Sequence, residues 1–378
     1  MSGEAGIREQ LRAEVRRCLS DHVDVRPYFA EGADSGPRTD EALWRLLATQ
    51  MNLPGLIVPE ADGGAGAQLA DLAVVFEELG AALAPVPMFA TAGFALPLVL
   101  AVAGERRTDA AGDLLAAIAS GTTTVTVALN EPDGGYRPDS TTVRAVRTET
   151  GWSLSGSKSF VIDAPAADII LVPAWTSAGI GLFAADRGEV AVSPMPSLDL
   201  LRPLSTVRFD GAPARLISDE DAVALDAGLD LALVLLAAEQ VGGAQRCLDN
   251  AVAYAKQRVQ FGRPIGSFQA IKHQLVDLLL QVEMARSAMT HAIGVADSYL
   301  RDPGAGTARD LAEAASLSRA LCSDTFTHVA DEALHIHGGI GFTWEHDSHL
   351  YYRRAKATEL LFGIPDAHRE RLAAAAGL

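Results

Sequence analysis

Residues 254–286 read YAKQRVQFGRPIGSFQAIKHQLVDLLLQVEMAR, and this stretch determines the architecture of the C-terminal half. The end of one helix leads into a turn that contains glycine and proline at residues 262–266, and Phe268 and Gln269 open a second helix. Apolar residues then recur at helical steps, at Ile271, Leu275, Leu278, Val282, Ala285 and Met289. The stretch therefore predicts two long helices joined by a tight turn.

The helical period continues on both sides of this stretch. Residues 229–247 are nearly apolar all round, and residues 310–336 form another long helical segment. Helices of this length and apolarity are hard to cover within one small domain. We therefore expect the C-terminal helices to be buried partly against other subunits.

Towards the N-terminus the period changes from helix to strand. β-Branched runs of strand length occupy residues 122–129, 142–148, 169–173 and 190–195, with Asp, Gly and Pro turn signals between them. Short strands at short intervals predict an antiparallel barrel or sandwich. They disfavour a Rossmann fold, which alternates strands with helices.

The first third of the chain is helical again. Apolar residues share one helix face at Ile7, Leu11, Val15 and Leu19. Residues 80–104 contain no charged side chain, and this uncharged stretch is long enough in principle to span a bilayer. Prolines interrupt this stretch and no Lys or Arg flanks its N-terminal end, so we expect two packed core helices around an Ala-Pro-Val-Pro turn.

Composition excludes several classes of protein. Apolar residues make up 49% of the 378 residues and charged residues 21%, which fits a folded chain with a substantial core. The net charge of −17 opposes binding to a nucleic-acid backbone. Cys18, Cys247 and Cys322 lie far apart and form no C-x-x-C motif, so we expect no disulfide framework or zinc site and a reducing, cytoplasmic location.

The sequence resembles the acyl-CoA dehydrogenase family in five places. It is similar to that family's patterns at residues 55–66 (GLIVPEADGGAG), 129–135 (LNEPDGG), 156–172 (GSKSFVIDAPAADIILV), 254–286 and 333–363. These stretches span essentially the whole chain, in the family's order and at its spacing. The resemblance implies an α+β, mostly helical fold, with an N-terminal helical domain (residues 1–119), a middle antiparallel β-barrel domain (120–222) and a C-terminal four-helix-bundle domain (223–378).

The resemblance also implies a reaction. Members of the family use FAD to remove hydrogens from the α and β carbons of an acyl thioester such as acyl-CoA, and pass the electrons to an electron-transfer flavoprotein. This chemistry needs a carboxylate base for the α proton, a flavin N5 for the β hydride and hydrogen bonds that polarise the thioester carbonyl. We expect a dimer or tetramer, with no metal ion, nucleic acid or membrane among its partners.

Three residues of the opening stretch match family positions that hold FAD. The resemblance implies that Arg258, Phe261 and Gln269 hold the pyrophosphate and adenine end of the cofactor, and that they reach the FAD of a neighbouring subunit. A guanidinium fork suits a pyrophosphate.

Further positions carry the same implication. Gly338 and Gly339 match the stretch whose backbone approaches the pyrophosphate, a task that suits residues without a Cβ. His335 stands where most family members carry a glutamine, and Asn130 lies in the LNEPDGG stretch on the flavin side. The resemblance implies that both contact the cofactor. His335 and His337 are also ligand types for a metal ion, but we predict no metal site.

The departures from the family pattern concern the chain's own catalytic site. The family's usual catalytic glutamate immediately precedes a glycine, and this position is Phe362, before Gly363. A minority branch carries its glutamate on the first long C-terminal helix, at the position of Ala232. Leu233 replaces an arginine that contacts CoA in the family, and Ile162 replaces a threonine that hydrogen-bonds the flavin. Ile364 and Asp366 replace polar residues that make contacts beside the base. The chain thus resembles a branch that lacks the usual catalytic glutamate.

Glu239 is a candidate replacement base. It follows Ala232 by about two helical turns and lies on roughly the same face. A carboxylate in so apolar a helix is expected to have a raised pKa, which suits a base near neutrality. The competing interpretation is that Glu239 pairs with a neighbouring group such as Arg246 or Arg258. Weaker candidates, expected as surface or ion-pair residues, are Glu345, Glu359 and Asp366.

The resemblance implies that the retained positions would serve a neighbour's FAD, whereas the replaced positions are those that would serve this chain's own base, CoA and flavin. The sequence therefore predicts a subunit of a hetero-oligomeric dehydrogenase that completes a partner's FAD site, in the manner of a branch of the family with two unlike subunits. Two alternatives stay open. One is an active homo-oligomer that uses Glu239 or another non-standard base on acyl-CoA or an acyl carrier protein thioester, and the other is a non-catalytic acyl-binding or interaction subunit.

Overall fold

The computed structural model describes residues 2–29, 39–102, 108–149, 151–219 and 222–378. Its N-terminal part is helical, as predicted. The helices are α1 (Ser2–His22), α2 (Glu41–Arg45), α3 (Leu69–Ala82), α4 (Leu96–Val102) and α5 (Asp109–Ala119). Two π-helical segments adjoin them: Leu46–Gln50 continues α2, and Phe89–Ala95 leads into α4.

The charge-free stretch at residues 80–104 is not one continuous helix. Leu83 ends α3 in the left-handed conformation, with φ of 52°. After the proline-containing turn, the segment Phe89–Ala95 and most of α4 are buried in the core. The expected pair of core helices is confirmed for the described part of this stretch, and no helix among the described residues is long and apolar enough to cross a membrane.

The middle part is a β-barrel. Its strands are β1 (Val125–Val127), β2 (Arg144–Thr148), β3 (Gly151–Ile162), β4 (Ile169–Trp175), β5 (Ile180–Asp186), β6 (Ala191–Met195) and β7 (Leu204–Ser218). The ring closes because β4 pairs with β5 on one side and with β2 on the other, while β5, β7, β3 and β2 pair in turn. The predicted barrel is confirmed, with two exceptions to its antiparallel pairing, β1 with β4 and the single bridge from β2 to β4.

The C-terminal part consists of long helices. The elements are α6 (Ala222–Gln257), the short strands β8 (Val259–Gln260) and β9 (Arg263–Pro264), α7 (Gln269–Arg301), α8 (Ala305–His337), α9 (Ser348–Leu360) and α10 (Pro365–Ala375). The two helices and the turn predicted for residues 254–286 are confirmed. Helices α3, α4, α7 and α8 surround α6.

Helix α6 is covered by this chain alone, so the predicted burial of the C-terminal helices against other subunits does not extend to α6. Residues 227–244 are all buried within this one chain. Exposed apolar side chains occur instead on α7, at Val276, Leu279, Leu280 and Met284.

Two glycines allow α3 and α6 to cross closely. A Cβ on Gly80 would lie 2.0 Å from the carbonyl oxygen of Glu239, and a Cβ on Gly242 would lie 1.9 Å from the carbonyl oxygen of Glu77. Any larger residue at either position would push the two helices apart, because backbone atoms cannot yield as side-chain ends do. The crossing therefore fixes the part of α6 that carries Glu239.

Candidate functional site

Most of the predicted cofactor residues lie in what we call the helix-end corner, residues 254–269 and 335–342. In the first stretch α6 passes into α7, and in the second α8 ends. The ring centroids of Tyr254 and His337 are 4.6 Å apart, so the two stretches meet. The corner contains Arg258, Phe261, Gln269, His335, Gly338 and Gly339.

The corner is open. Phe261 is 91% exposed and has φ of 54°, which is costly for a bulky side chain. The guanidinium of Arg258 is exposed and has no hydrogen-bond partner in the described part of the chain. A Cβ on Gly338 or Gly339 would meet nothing within 4 Å. An unpartnered cation beside accessible backbone fits an anionic group such as a pyrophosphate.

Gln269 and His335 are exposed in the same corner and have neighbours of their own. Nε2 of Gln269 lies 3.1 Å from Nε2 of His273. Ligand atoms of His335, Asp331 and Glu332 lie within 4.8 Å of one another. The prediction of no metal site assumed that no acidic residue lies near His335 in sequence, and this assumption is wrong, because Asp331 and Glu332 precede it by four and three residues. An exposed acidic group of this kind does not by itself show that a metal ion binds.

Asn130 lies in the loop between β1 and β2, outside the helix-end corner. A buried ion pair between Lys158 and Glu131 holds this loop. Nζ of Lys158 also donates to the carbonyl oxygen of Leu129 over 2.8 Å, and the Glu131 carboxylate accepts from the backbone N–H of Thr142 over 2.9 Å. Lys158 of β3 therefore ties the loop that carries Asn130 to the barrel, and the hydrogen bond from Thr142 to Glu131 holds the loop together internally.

The positions that would serve the chain's own flavin and CoA are apolar and buried. Ile162 is 3% exposed at the end of β3, and Ala232 and Leu233 of α6 are fully buried. Their side chains can neither hydrogen-bond a flavin nor pair with a phosphate. These three positions supply none of the polar groups that the family pattern places there.

Phe362 lies in the tight turn between α9 and α10. It is 2% exposed, and its ring meets that of Phe94, with centroids 4.8 Å apart. A phenylalanine has no proton-accepting group, so this position supplies no base. The weaker candidates match their expected surface or ion-pair roles, since Glu359 pairs with Lys356, Asp366 pairs with Arg369 and Glu345 is exposed.

Glu239 belongs to a buried charge cluster formed by Asp163, Asp199, Arg202, Glu239 and Arg354, each at most 6% exposed. The two oxygens of Glu239 accept hydrogen bonds from Arg202 over 2.6 Å and from Arg354 over 3.1 Å. Arg354 also pairs with Asp199. The ion-pair interpretation of Glu239 is confirmed, although the partners are not the two arginines named from the sequence.

The pKa expected for Glu239 has the wrong sign. Burial by itself raises the pKa of this carboxyl, but the charges and hydrogen bonds of Arg202 and Arg354 outweigh burial and lower the pKa below its usual range. Both oxygens are already engaged with cations. Glu239 is therefore held as a carboxylate in an ion pair, which does not fit a general base with a raised pKa.

Asp163 is a member of the cluster that the sequence analysis missed. It follows β3 with φ of 53°, and burial raises its pKa to about 7 against the opposing charges of Arg202 and Arg354. The cluster contains three carboxyl groups and two arginines, so a proton on one carboxyl makes it neutral. Its members come from the residue that follows β3, the β6–β7 loop, α6 and α9, and the only local sign is the D-x-x-R spacing at residues 199–202.

Two family models match the chain. The one described as "Acyl-CoA dehydrogenase, N-terminal domain" matches residues 7–121, and the one described as "Acyl-CoA dehydrogenase, C-terminal domain" matches residues 222–377. Among curated proteins, the chain is 36% identical over 367 residues to "Acyl-CoA dehydrogenase IpdE2" of Mycolicibacterium smegmatis, covering 97% of this chain and 98% of the relative. The protein of the same name from Mycobacterium tuberculosis is 36% identical over 368 residues, covering 97% and 96%.

Two solved structures are similar in fold and sequence. One is described as the "Tcur3481-Tcur3483 steroid ACAD", with a TM-score of 0.85, 30% identity and coverage of 99% of this chain and 98% of that one. The other is the "ChsE4-ChsE5 complex from Mycobacterium tuberculosis", with a TM-score of 0.83, 26% identity and coverage of 98% and 97%.

Proposed function

Because the chain belongs to the acyl-CoA dehydrogenase family, whose members are FAD-dependent oxidoreductases, we propose that it acts in the α,β-dehydrogenation of an acyl thioester as one subunit of a hetero-oligomer. In this assembly the helix-end corner completes the FAD site of an unlike dehydrogenase subunit. That partner supplies the base for the α proton. Arg258, Phe261 and Gln269 would hold the pyrophosphate and adenine end of FAD, which would supply the acceptor for the β hydride, and an electron-transfer flavoprotein would be the acceptor of the electrons.

The observation that carries this proposal is the contrast between the two halves of the site. Arg258 is exposed and its guanidinium has no partner within the described chain, and Gly338 and Gly339 leave open space in front of their backbone. Phe362 is buried against Phe94 and lacks a base. The chain therefore offers groups for a neighbour's cofactor and lacks the carboxylate that its own half-site would need.

Two further observations support an unlike partner. The exposed apolar side chains of α7 form a surface suited to contact with another protein, because clusters of this kind are covered in assembled proteins. The names of two similar structures each contain two components, Tcur3481 with Tcur3483 and ChsE4 with ChsE5.

The first test is the flavin content of the chain purified alone and after coexpression with a neighbouring dehydrogenase-like subunit. We expect little flavin absorbance for the chain alone, and less than one FAD per chain in a complex that contains both polypeptides. Light scattering establishes the composition of the complex. Full FAD occupancy and dehydrogenase turnover by the chain alone would overturn the proposal.

A substitution locates the shared site. In the coexpressed complex, Arg258→Ala is expected to lower the retained flavin at least tenfold after gel filtration, because the proposed pyrophosphate contact is lost. The matched control is Arg309→Ala, which removes an exposed arginine near the start of α8 that pairs with Glu313. Equal flavin loss in both variants would contradict the assignment of Arg258.

A further inference from the structure

Two buried aromatic rings meet at position 362. We propose that Phe94 and Phe362 form a plug that keeps an acyl chain out of this subunit's own site. The proposal rests on the proposed function, because it takes residue 362 to stand where a catalytic subunit presents its base to the acyl chain. The plug explains how only the partner subunit takes the thioester.

The two rings are in close and specific contact. Their centroids are 4.8 Å apart and their planes are inclined at 63°, the edge-to-face arrangement that aromatic pairs favour. Each residue is 2% exposed. Phe94 lies in the π-helical segment Phe89–Ala95. π-Helical turns are rare in proteins, and those that occur are often found at functional sites. The contact joins the N-terminal helical part to the turn between α9 and α10.

The turn that carries Phe362 is strained and clamped. The φ of Phe362 is 56°, a conformation that is unfavourable for a bulky residue and persists only where the surroundings impose it. Arg319, fully buried, donates from Nη2 to the carbonyl oxygen of Leu361 over 2.8 Å. The hydroxyl oxygen of Tyr136 lies 2.8 Å from the place where a Cβ of Gly363 would stand.

His368 holds the same turn from the other side. Its Nε2 lies 3.0 Å from the carbonyl oxygen of Phe362. Burial and the charge of Arg319 lower the pKa of His368 to about 4, so the imidazole is neutral at physiological pH. A carbonyl only accepts, so Nε2 carries the proton and donates. None of the contacts from Arg319, Tyr136 or His368 involves the Phe362 ring. We therefore expect the turn to keep its conformation when the ring of Phe362 is removed.

The plug predicts the class of ligand that would replace it. Phe94 and Phe362 belong to one buried apolar cluster with Ala232, Leu233 and Leu361. A cavity opened in such surroundings stays dry and binds apolar groups. Removal of both rings should therefore admit a fatty acyl chain.

The experiment counts acyl sites in the coexpressed complex by isothermal titration calorimetry with octanoyl-CoA. We expect one site per pair of unlike subunits in the unmodified complex and two per pair in Phe94→Ala/Phe362→Ala, with no increase for coenzyme A alone. A folded double variant that keeps one site per pair would overturn the plug. Two sites per pair in the unmodified complex would overturn it too.

A matched control removes two other rings from the same region. Phe76 and Phe89 are buried and in edge contact, with centroids 6.1 Å apart, and Phe76→Ala/Phe89→Ala is expected to add no acyl site. If circular dichroism shows that the alanine double variant is unfolded, Phe94→Leu/Phe362→Leu with butyryl-CoA takes its place and must show the second site. Failure of the proposed function appears separately, as full FAD occupancy of the chain alone.

Discussion

Two positions along α6, its middle and the residue that follows its C-terminal end, differ in how their charges are satisfied. In the middle of α6, Glu239 is 4% exposed and both of its oxygens accept hydrogen bonds from arginines. Directly after the end of α6, Arg258 is exposed and its guanidinium has no partner in the described part of the chain. A buried charge needs partners inside the fold, whereas an exposed one is satisfied by water. Arg258 therefore needs no partner within its own fold, and its guanidinium stays accessible to an anionic group of another molecule.

The largest expected effect comes from breaking the buried charge cluster. Arg354→Met leaves Asp199 and Glu239 with only one arginine between them, and loss of one partner from a buried ion pair costs about 3–5 kcal/mol in the free energy of unfolding. Urea denaturation of the isolated chain measures this cost.

The neighbouring arginine supplies the control. Arg353 is half-buried, lies over the ring of Trp344, and donates to the carbonyl oxygen of Leu198 over 3.4 Å. Arg353→Met is expected to cost less than about 1 kcal/mol. Equal destabilisation by both variants would show that the cluster contributes nothing beyond its packing.

The next effect depends on pH. The Asp163 carboxyl has a pKa of about 7 in the folded chain and 3.8 as its ordinary value, so between these pH values the folded chain keeps a proton that the unfolded chain releases. The free energy of unfolding therefore falls from about pH 4 to pH 7 on account of this group and is constant above pH 7. Asp163→Asn removes the titrating carboxyl and therefore this fall in the free energy of unfolding. We expect the variant to be more stable than the parent by roughly 2–4 kcal/mol at pH 8 and equally stable near pH 4.

Urea titrations at pH 4.5, 6 and 8 check this prediction through the difference between variant and parent. Taking the difference cancels the opposite trend of His368, whose lowered pKa makes the fold more stable as the pH rises from about 4 to 6.5. Asp210→Asn, on an exposed side chain of β7, serves as the control. If the variant and the parent differ in their free energy of unfolding by the same amount at pH 4.5 and pH 8, the folded chain does not keep a proton on Asp163.

Local patterns predicted the elements well. The helical steps after Gln269 and the glycine–proline turn before it depend only on residues near each other in sequence, and α7 begins at Gln269. The predicted strand runs correspond to β1, β2, β4 and β6, whereas β3, β5 and β7 were missed. In β7, Gly211 and Pro213 look like a turn. In the structure Gly211 has φ of 71° and forms a bulge within a continuous strand.

The site was predictable only in part, because burial and distant partners decide its chemistry. Glu239 pairs with Arg202 and Arg354, which lie 37 and 115 residues away in the chain. The sign of its pKa shift depends on both, and no local pattern joins them. Phe94 was missed as a partner of Phe362 for the same reason. The assignment of the exposed corner came from a resemblance in residue pattern, which local sequence can carry.

The smallest effect on stability is expected in the helix-end corner. The ring of Phe261 is 91% exposed, so Phe261→Ala should change the free energy of unfolding of the isolated chain by less than about 0.5 kcal/mol. The same substitution should lower the flavin retained by the coexpressed complex, because the ring is proposed to lie against a neighbour's cofactor. Val146→Ala, on an exposed side chain of β2, should change neither quantity. Destabilisation of the isolated chain by more than about 1 kcal/mol would instead place the role of Phe261 within its own fold, and the contrast between the buried cluster and the open corner would then fail.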